Sequence, residues 1–126
     1  METRQEIAAE MKRRGTHNCA QAVLCAYADQ VGMDEQTAWN IAAPFGSGMG
    51  NMEGTCGAIV GAGIALGLAT RDRAAARKGM QQIMNKFQQR NGATQCRLLK
   101  GVDTGIVLRE CTGCVKDAAE FLNEII

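Results

Sequence analysis

Residues 46–54 read Gly-Ser-Gly-Met-Gly-Asn-Met-Glu-Gly, four glycines in nine positions. Each glycine inside a helix costs about 1 kcal/mol relative to alanine, so no helix survives that density. The segment must be a loop. It divides the 126-residue chain into two stretches, and both carry helical patterning.

Thr3-Arg4-Gln5-Glu6 is written as a capping box, with Thr3 as N-cap and Glu6 reaching back to its backbone. The first helix is expected to run to Arg14, with Gly15 ending it. Asn18 caps a second helix ending near Val31, in which Cys19, Ala22, Val23 and Ala26 share a stripe. Asp34 caps a third, stopped by Pro44. After the loop, Thr55 opens a fourth helix that carries Cys56 and reaches Ala69. Its Gly57, Gly61, Gly63 and Gly67 allow a neighbouring backbone to come close. Asp72 starts a fifth helix to about Asn91, burying Ala76, Met80, Ile83, Met84 and Phe87, and Gly92 ends it. Thr94 caps a helical turn over 95–100, closed by Gly101. The last helix is expected over 106–126, with Cys111, Val115, Ala118, Leu122 and Ile125 inward. No stretch alternates as a strand would. The fold class expected is all-α: a compact bundle of about six helices, one domain over residues 1–126, with the glycine-rich loop before the fourth helix.

Fourteen Lys and Arg against thirteen Asp and Glu leave a formal charge of +1. That balance argues against a nucleic-acid partner. No apolar run reaches the roughly 20 residues of a membrane span, so no membrane insertion is expected. No signal peptide is visible at residues 1–15, which makes a reducing cytoplasm the expected setting. In that setting cysteines bind metal or do redox chemistry more often than they staple a fold.

There are six cysteines and one histidine. Cys19, Cys56 and Cys96 each sit at an expected helix start. The partial positive charge and free N–H groups of a helix start favour a thiolate, which is both nucleophile and metal ligand. Cys111-Thr112-Gly113-Cys114 is a C-x-x-C whose two sulfurs would lie about 60° apart on a helix. Val115 stands where c-type haem attachment needs histidine, and no strand precedes the motif as a thioredoxin unit requires. His17 beside Cys19 is a base or ligand candidate, though a solvated side chain is the simpler reading. With one histidine, any metal site is expected to be thiolate-rich: zinc, Cu(I) or an iron–sulfur cluster. The glycine loop lacks the Gly-Lys-Ser/Thr of a phosphate-binding P-loop. Its glycines would instead let backbone N–H groups face Cys56 or a small ligand. Glu53, and the cluster of Arg71, Arg73, Arg77 and Lys78, read as solvated side chains.

Three stretches together have a family likeness. Asn18-Cys19-Ala20-Gln21-Ala22-Val23, Gly46-Ser47-Gly48-Met49-Gly50 and Cys56-Gly57-Ala58-Ile59-Val60-Gly61-Ala62 resemble the redox-active C_GCAxxG_C_C protein family. Cys96-Arg97-Leu98-Leu99-Lys100-Gly101 and the Cys111 region continue the likeness in order. The resemblance implies four characteristic cysteines, Cys19, Cys56, Cys96 and Cys111, with Cys114 the alternative for the fourth, and Cys25 an extra. It implies a small redox or electron-transfer-associated protein with a redox partner that the motifs do not identify.

Three functions follow as expectations. The first is thiol redox chemistry, in which a thiolate such as Cys56 attacks a disulfide or peroxide and a second cysteine resolves it. The second is a zinc or iron–sulfur site on Cys19, Cys56, Cys96 and Cys111. The third is a non-catalytic interaction module with buried cysteines, its glycine-rich helix supporting a homodimer.

Overall fold

The computed structural model describes residues 2–126. Seven α-helices follow one another: α1 (Arg4–Arg13), α2 (Cys19–Tyr27), α3 (Glu35–Ala42), α4 (Gly57–Thr70), α5 (Arg73–Asn91), α6 (Cys96–Lys100) and α7 (Cys111–Asn123). Among the described residues there is no strand, only an isolated antiparallel bridge between Thr55 and Gln95. No described helix is long and apolar enough to cross a membrane. The all-α bundle is as expected.

The architecture centres on α2. Its sequence, Cys-Ala-Gln-Ala-Val-Leu-Cys-Ala-Tyr, carries no charge, and all nine residues are buried. Helices α1, α3, α4 and α7 pack around it. Gln21, the one amide among the nine, is spent on capping. Asn18 accepts from the Gln21 backbone, the Gln21 side chain accepts from the Asn18 backbone at 2.9 Å, and Gln21 Nε2 donates to Trp39 O. Each polar atom is thus satisfied without water. Tyr27 is fully buried, and its hydroxyl donates to Ala119 O of α7 at 2.9 Å.

The expected caps at Asn18, Asp34 and Asp72, and the Gly92 stop, all form. At the first helix only half of the expected box is present, Thr3 Oγ1 accepting from Glu6 N. Gly57 and Gly61 do admit a neighbour: a Cβ on Gly61 would lie 2.5 Å from Ala20 O, and one on Gly57 would lie 2.7 Å from Phe45 O. Gly63 touches only the Met80 side chain and Gly67 meets nothing. Other expected boundaries move: the fourth helix begins at Gly57 with Cys56 as N-cap rather than at Thr55, and α6 has Gln95, not Thr94, at its N-cap. The second helix ends at Tyr27 rather than near Val31 and continues as turns to Gly32. The last helix starts at Cys111, not 106, because a turn at Gly105 (φ +75°) precedes Ile106. Ile106, Val107 and Leu108 are consequently exposed. In the glycine loop, Ser47, Gly48, Met49, Gly50 and Met52 all take left-handed backbone.

Candidate functional site

Helices α2, α4, α6 and α7 begin beside one another, and a cysteine stands at each start. Cys19, Cys96 and Cys111 are first residues of their helices, and Cys56 is the N-cap of α4. Cys114 follows one turn into α7. These five thiols line one cavity of about 30 Å³, enough for roughly one water molecule. Lys12, Lys100 and Arg109 complete its wall. Positive charge reaches the site from the helix starts and from Lys12 and Lys100, while Arg109 is paired with Asp117.

Local backbone pairing fixes this convergence. Cys56 N donates to Thr94 O at 2.8 Å, and Cys96 N donates to Gly54 O at 3.0 Å. The end of the glycine loop is thereby laced to the segment before α6. Gly48 has to lack a side chain here, since its Cβ would lie 2.5 Å from Cys96 Cβ. The N–H groups that serve Cys56 come from Ala58 and Ile59 of its own helix, not from the glycine loop as expected.

The thiols are matched in two pairs. Cys19 faces Cys111, and Cys56 faces Cys114. In the first pair the Cys19 thiol lies beside the Cys111 sulfur, and Lys100 and Lys12 add positive charge. Together these pull Cys111 down to about 6 against the opposing effect of burial, while Cys19 is driven up. In the second pair the Cys114 sulfur lies beside Cys56 while its thiol donates to Arg109 O at 3.7 Å. Cys56 is lowered by that neighbour and by the Ala58 and Ile59 amides despite its burial, and Cys114 is raised by the Cys56 sulfur and by burial. Cys96 is raised chiefly by burial. The pairs differ in access: Cys56 and Cys114 are 4% and 2% exposed, whereas Cys111 is half-buried. All six cysteines are free thiols.

Four of these residues, Cys19, Cys56, Cys96 and Cys111, are the expected set, and the alternative, Cys114, stands with them. Cys111 was expected inside a helix; the later start of α7 brings it to a helix end like the others. Gly113, between the two cysteines of the C-x-x-C, has a packing reason. A Cβ there would lie 2.4 Å from Arg109 Nε. Arg109 crosses Gly113 to reach Asp117 at 3.1 Å. Asp117 is 2% exposed and also accepts from Arg90 and Asn91. Sequence reasoning missed this anchor; its one visible sign was an acidic residue one position from the apolar stripe of α7. Glu53 is exposed and pairs with Arg97 at 3.3 Å, away from the cavity. Arg71, Arg73, Arg77 and Lys78 are exposed. His17 and Cys25 lie elsewhere, with Glu35.

No curated protein and no solved structure matches the chain. A family model described as "Putative redox-active protein (C_GCAxxG_C_C)" matches residues 17–125. That span contains all six cysteines. On a match covering most of its length, the chain belongs to the C_GCAxxG_C_C family of redox-active proteins.

Proposed function

We propose that the chain performs thiol–disulfide exchange through the Cys19–Cys111 pair, with Cys56–Cys114 as a second, interior dithiol and Cys96 beside both. The single observation that carries this reading is the convergence of Cys19 and the half-buried Cys111 on one cavity, with Lys12 and Lys100 in its wall. That is the arrangement an attacking and a resolving cysteine need.

In the exchange the Cys111 thiolate attacks one sulfur of a substrate disulfide. A Cys111–substrate S–S bond forms, the substrate S–S bond breaks, and the released thiolate takes a proton from solvent. Cys19 then loses its proton to solvent and attacks Cys111 Sγ. The Cys19–Cys111 bond forms and the second substrate thiolate leaves, to be protonated in turn. The protein dithiol is oxidised by two electrons and the disulfide is reduced by two. Run backwards, the same steps oxidise a dithiol. The exposed side of Cys111 favours it over the initially expected Cys56 as the attacking group, because an attacking sulfur must meet a substrate disulfide in line.

A defined thiol–disulfide buffer followed by mass mapping of the bonds tests the reading. The expected result is reversible loss of two hydrogens with Cys19 joined to Cys111. Thiols that resist oxidation, or bonds that join other cysteines first, would overturn it.

A second reading is a zinc or iron–sulfur centre on Cys19, Cys56, Cys96 and Cys111. It is favoured by the convergence of four helix starts on one cavity. Among the described residues, however, no three of these sulfurs lie within 4.8 Å of one another, so the ligands would have to draw together. The intact mass of protein purified without oxygen distinguishes the two readings: a metal or cluster increment supports the second, an apo mass the first.

A further inference from the structure

The sixth cysteine lies outside the thiol cavity. Cys25 is on α2 about 120° around the helix from Cys19, and it is 6% exposed. Its Sγ donates to the backbone O of Glu35 at 3.8 Å. His17, in the turn before α2, brings Nε2 to 3.9 Å from Glu35 Oε1. One ligand atom from each of His17, Cys25 and Glu35 lies within 4.8 Å of the other two, the one such set of three among the described residues. We propose that His17, Cys25 and Glu35 form a site for one divalent transition-metal ion, zinc by preference, independent of the thiol cavity.

Three observations support the assignment. The donor set is one imidazole, one thiol and one carboxylate, a mixture that suits zinc and is too soft for calcium or magnesium. A thiolate and a carboxylate also supply the two negative charges that a divalent ion neutralises. The imidazole is already oriented. His17 Nδ1 lies 2.7 Å from Thr16 Oγ1, and with Nδ1–H donating to that hydroxyl the Nε2 lone pair is free on the side of Glu35.

The spacing is within reach. Ligand atoms around a tetrahedral zinc sit roughly 3.3–3.7 Å apart, so the set must close by about an ångström. Glu35, with a side chain 65% exposed, can supply that movement, while His17 and Cys25 are held. The fourth position opens onto a surface hollow of about 380 Å³ bordered by Gln36 and Trp39, which leaves it to water or a small ligand. Without metal the Cys25 thiol stays protonated, pushed up to about 11 by burial and by Glu35. Binding would release that proton.

His17 is the only histidine in the chain, so its ring nitrogens give an unambiguous signal. The experiment adds zinc in molar excess to the reduced, full-length protein near neutral pH and follows the imidazole 15N resonances. The expected result is that Nε2 moves to a metal-bound position. Cys25→Ala and Glu35→Gln should each weaken that response about tenfold or more, and Cys111→Ser should leave it unchanged. Imidazole resonances that stay unmoved in excess zinc would overturn the proposal. So would a response lost in Cys111→Ser and kept in Cys25→Ala. Glu35→Gln alters an exposed side chain, so it remains decisive if Cys25→Ala does not fold.

Discussion

The two thiol pairs share one construction and differ in depth. In each, a sulfur at a helix start is held down by a neighbouring thiol across the cavity. Cys111 adds Lys100 and Lys12 and stands half in solvent, while Cys56 draws on the amides of Ala58 and Ile59 and is nearly sealed. The difference separates two properties that a reactive cysteine needs at once. Helix starts and hydrogen bonds can produce a thiolate anywhere; only position relative to the surface decides whether it meets a substrate. The outer pair has both, and the inner pair has the first alone.

The largest test removes the anchor at the start of α7. Asp117→Ala strands Arg109 and the buried Asn91 amide, while Arg90 keeps Glu120. We expect a loss of about 2–4 kcal/mol in urea unfolding. We also expect Cys114 to become open to alkylation, because Arg109 no longer crosses Gly113. Unchanged stability would mean that Asp117 does not anchor the start of α7.

Next comes the contrast in reactivity. With Cys111 titrating near 6 and an ordinary thiol near 9, the thiolate fraction at pH 6 differs several hundredfold. The weaker nucleophilicity of a low-pKa sulfur returns most of that, leaving a net advantage of roughly 20-fold. Alkylation with a small haloamide should therefore modify Cys111 first, with a midpoint near pH 6, and Cys111→Ser should remove this phase. Cys25 or Cys114 labelling ahead of Cys111 would erase the distinction between outer and inner pairs. The sign for stability follows: a lowered thiol stabilises the fold above its unfolded value, and that contribution fades as pH falls through about 6.

Smaller effects sharpen the comparison. Gly61→Ala pushes on Ala20 O, beside Cys19, and should separate α2 from α4 at a net cost of about 1–2 kcal/mol after the helix-propensity gain. Gly67→Ala meets nothing within 4 Å and should be neutral or slightly stabilising, which thermal melts of the two variants would show. The smallest is Lys100→Gln. It should move the Cys111 midpoint upward by a fraction of a pH unit and leave Cys56, which does not draw on that lysine, where it was. An unmoved Cys111 midpoint would remove Lys100 from the account.

The sequence could be read where the physics is local. Asn18, Asp34 and Asp72 cap their helices because an acceptor side chain meets an N–H three residues on. The apolar run at 106–108 misled, since its hydrophobicity looked like a helix face while Gly101 and Gly105 had already turned the chain. Nothing local joins Cys19 to Cys111, or Cys56 to Cys114; those pairings come from how α7 lies against α1, α2 and α4. His17, Cys25 and Glu35 meet for the same reason, through the packing of α3 on α2. Spacing along the chain showed Cys19, Cys56 and Cys96 at helix starts but not Cys111, and only tertiary packing decided their neighbours.

Positions 19 and 111 are 92 apart in a chain of 126. A bond between them would turn most of the polymer into a closed ring with two short tails. In the chain-entropy treatment of cross-links, a loop of that length lowers the disorder of the unfolded chain by an amount equivalent to about 4–5 kcal/mol. Electron transfer at the outer pair would thus be coupled to resistance against denaturation. Oxidised molecules would outlast reduced ones under proteolysis, and the lifetime of the protein would record the redox state it last met.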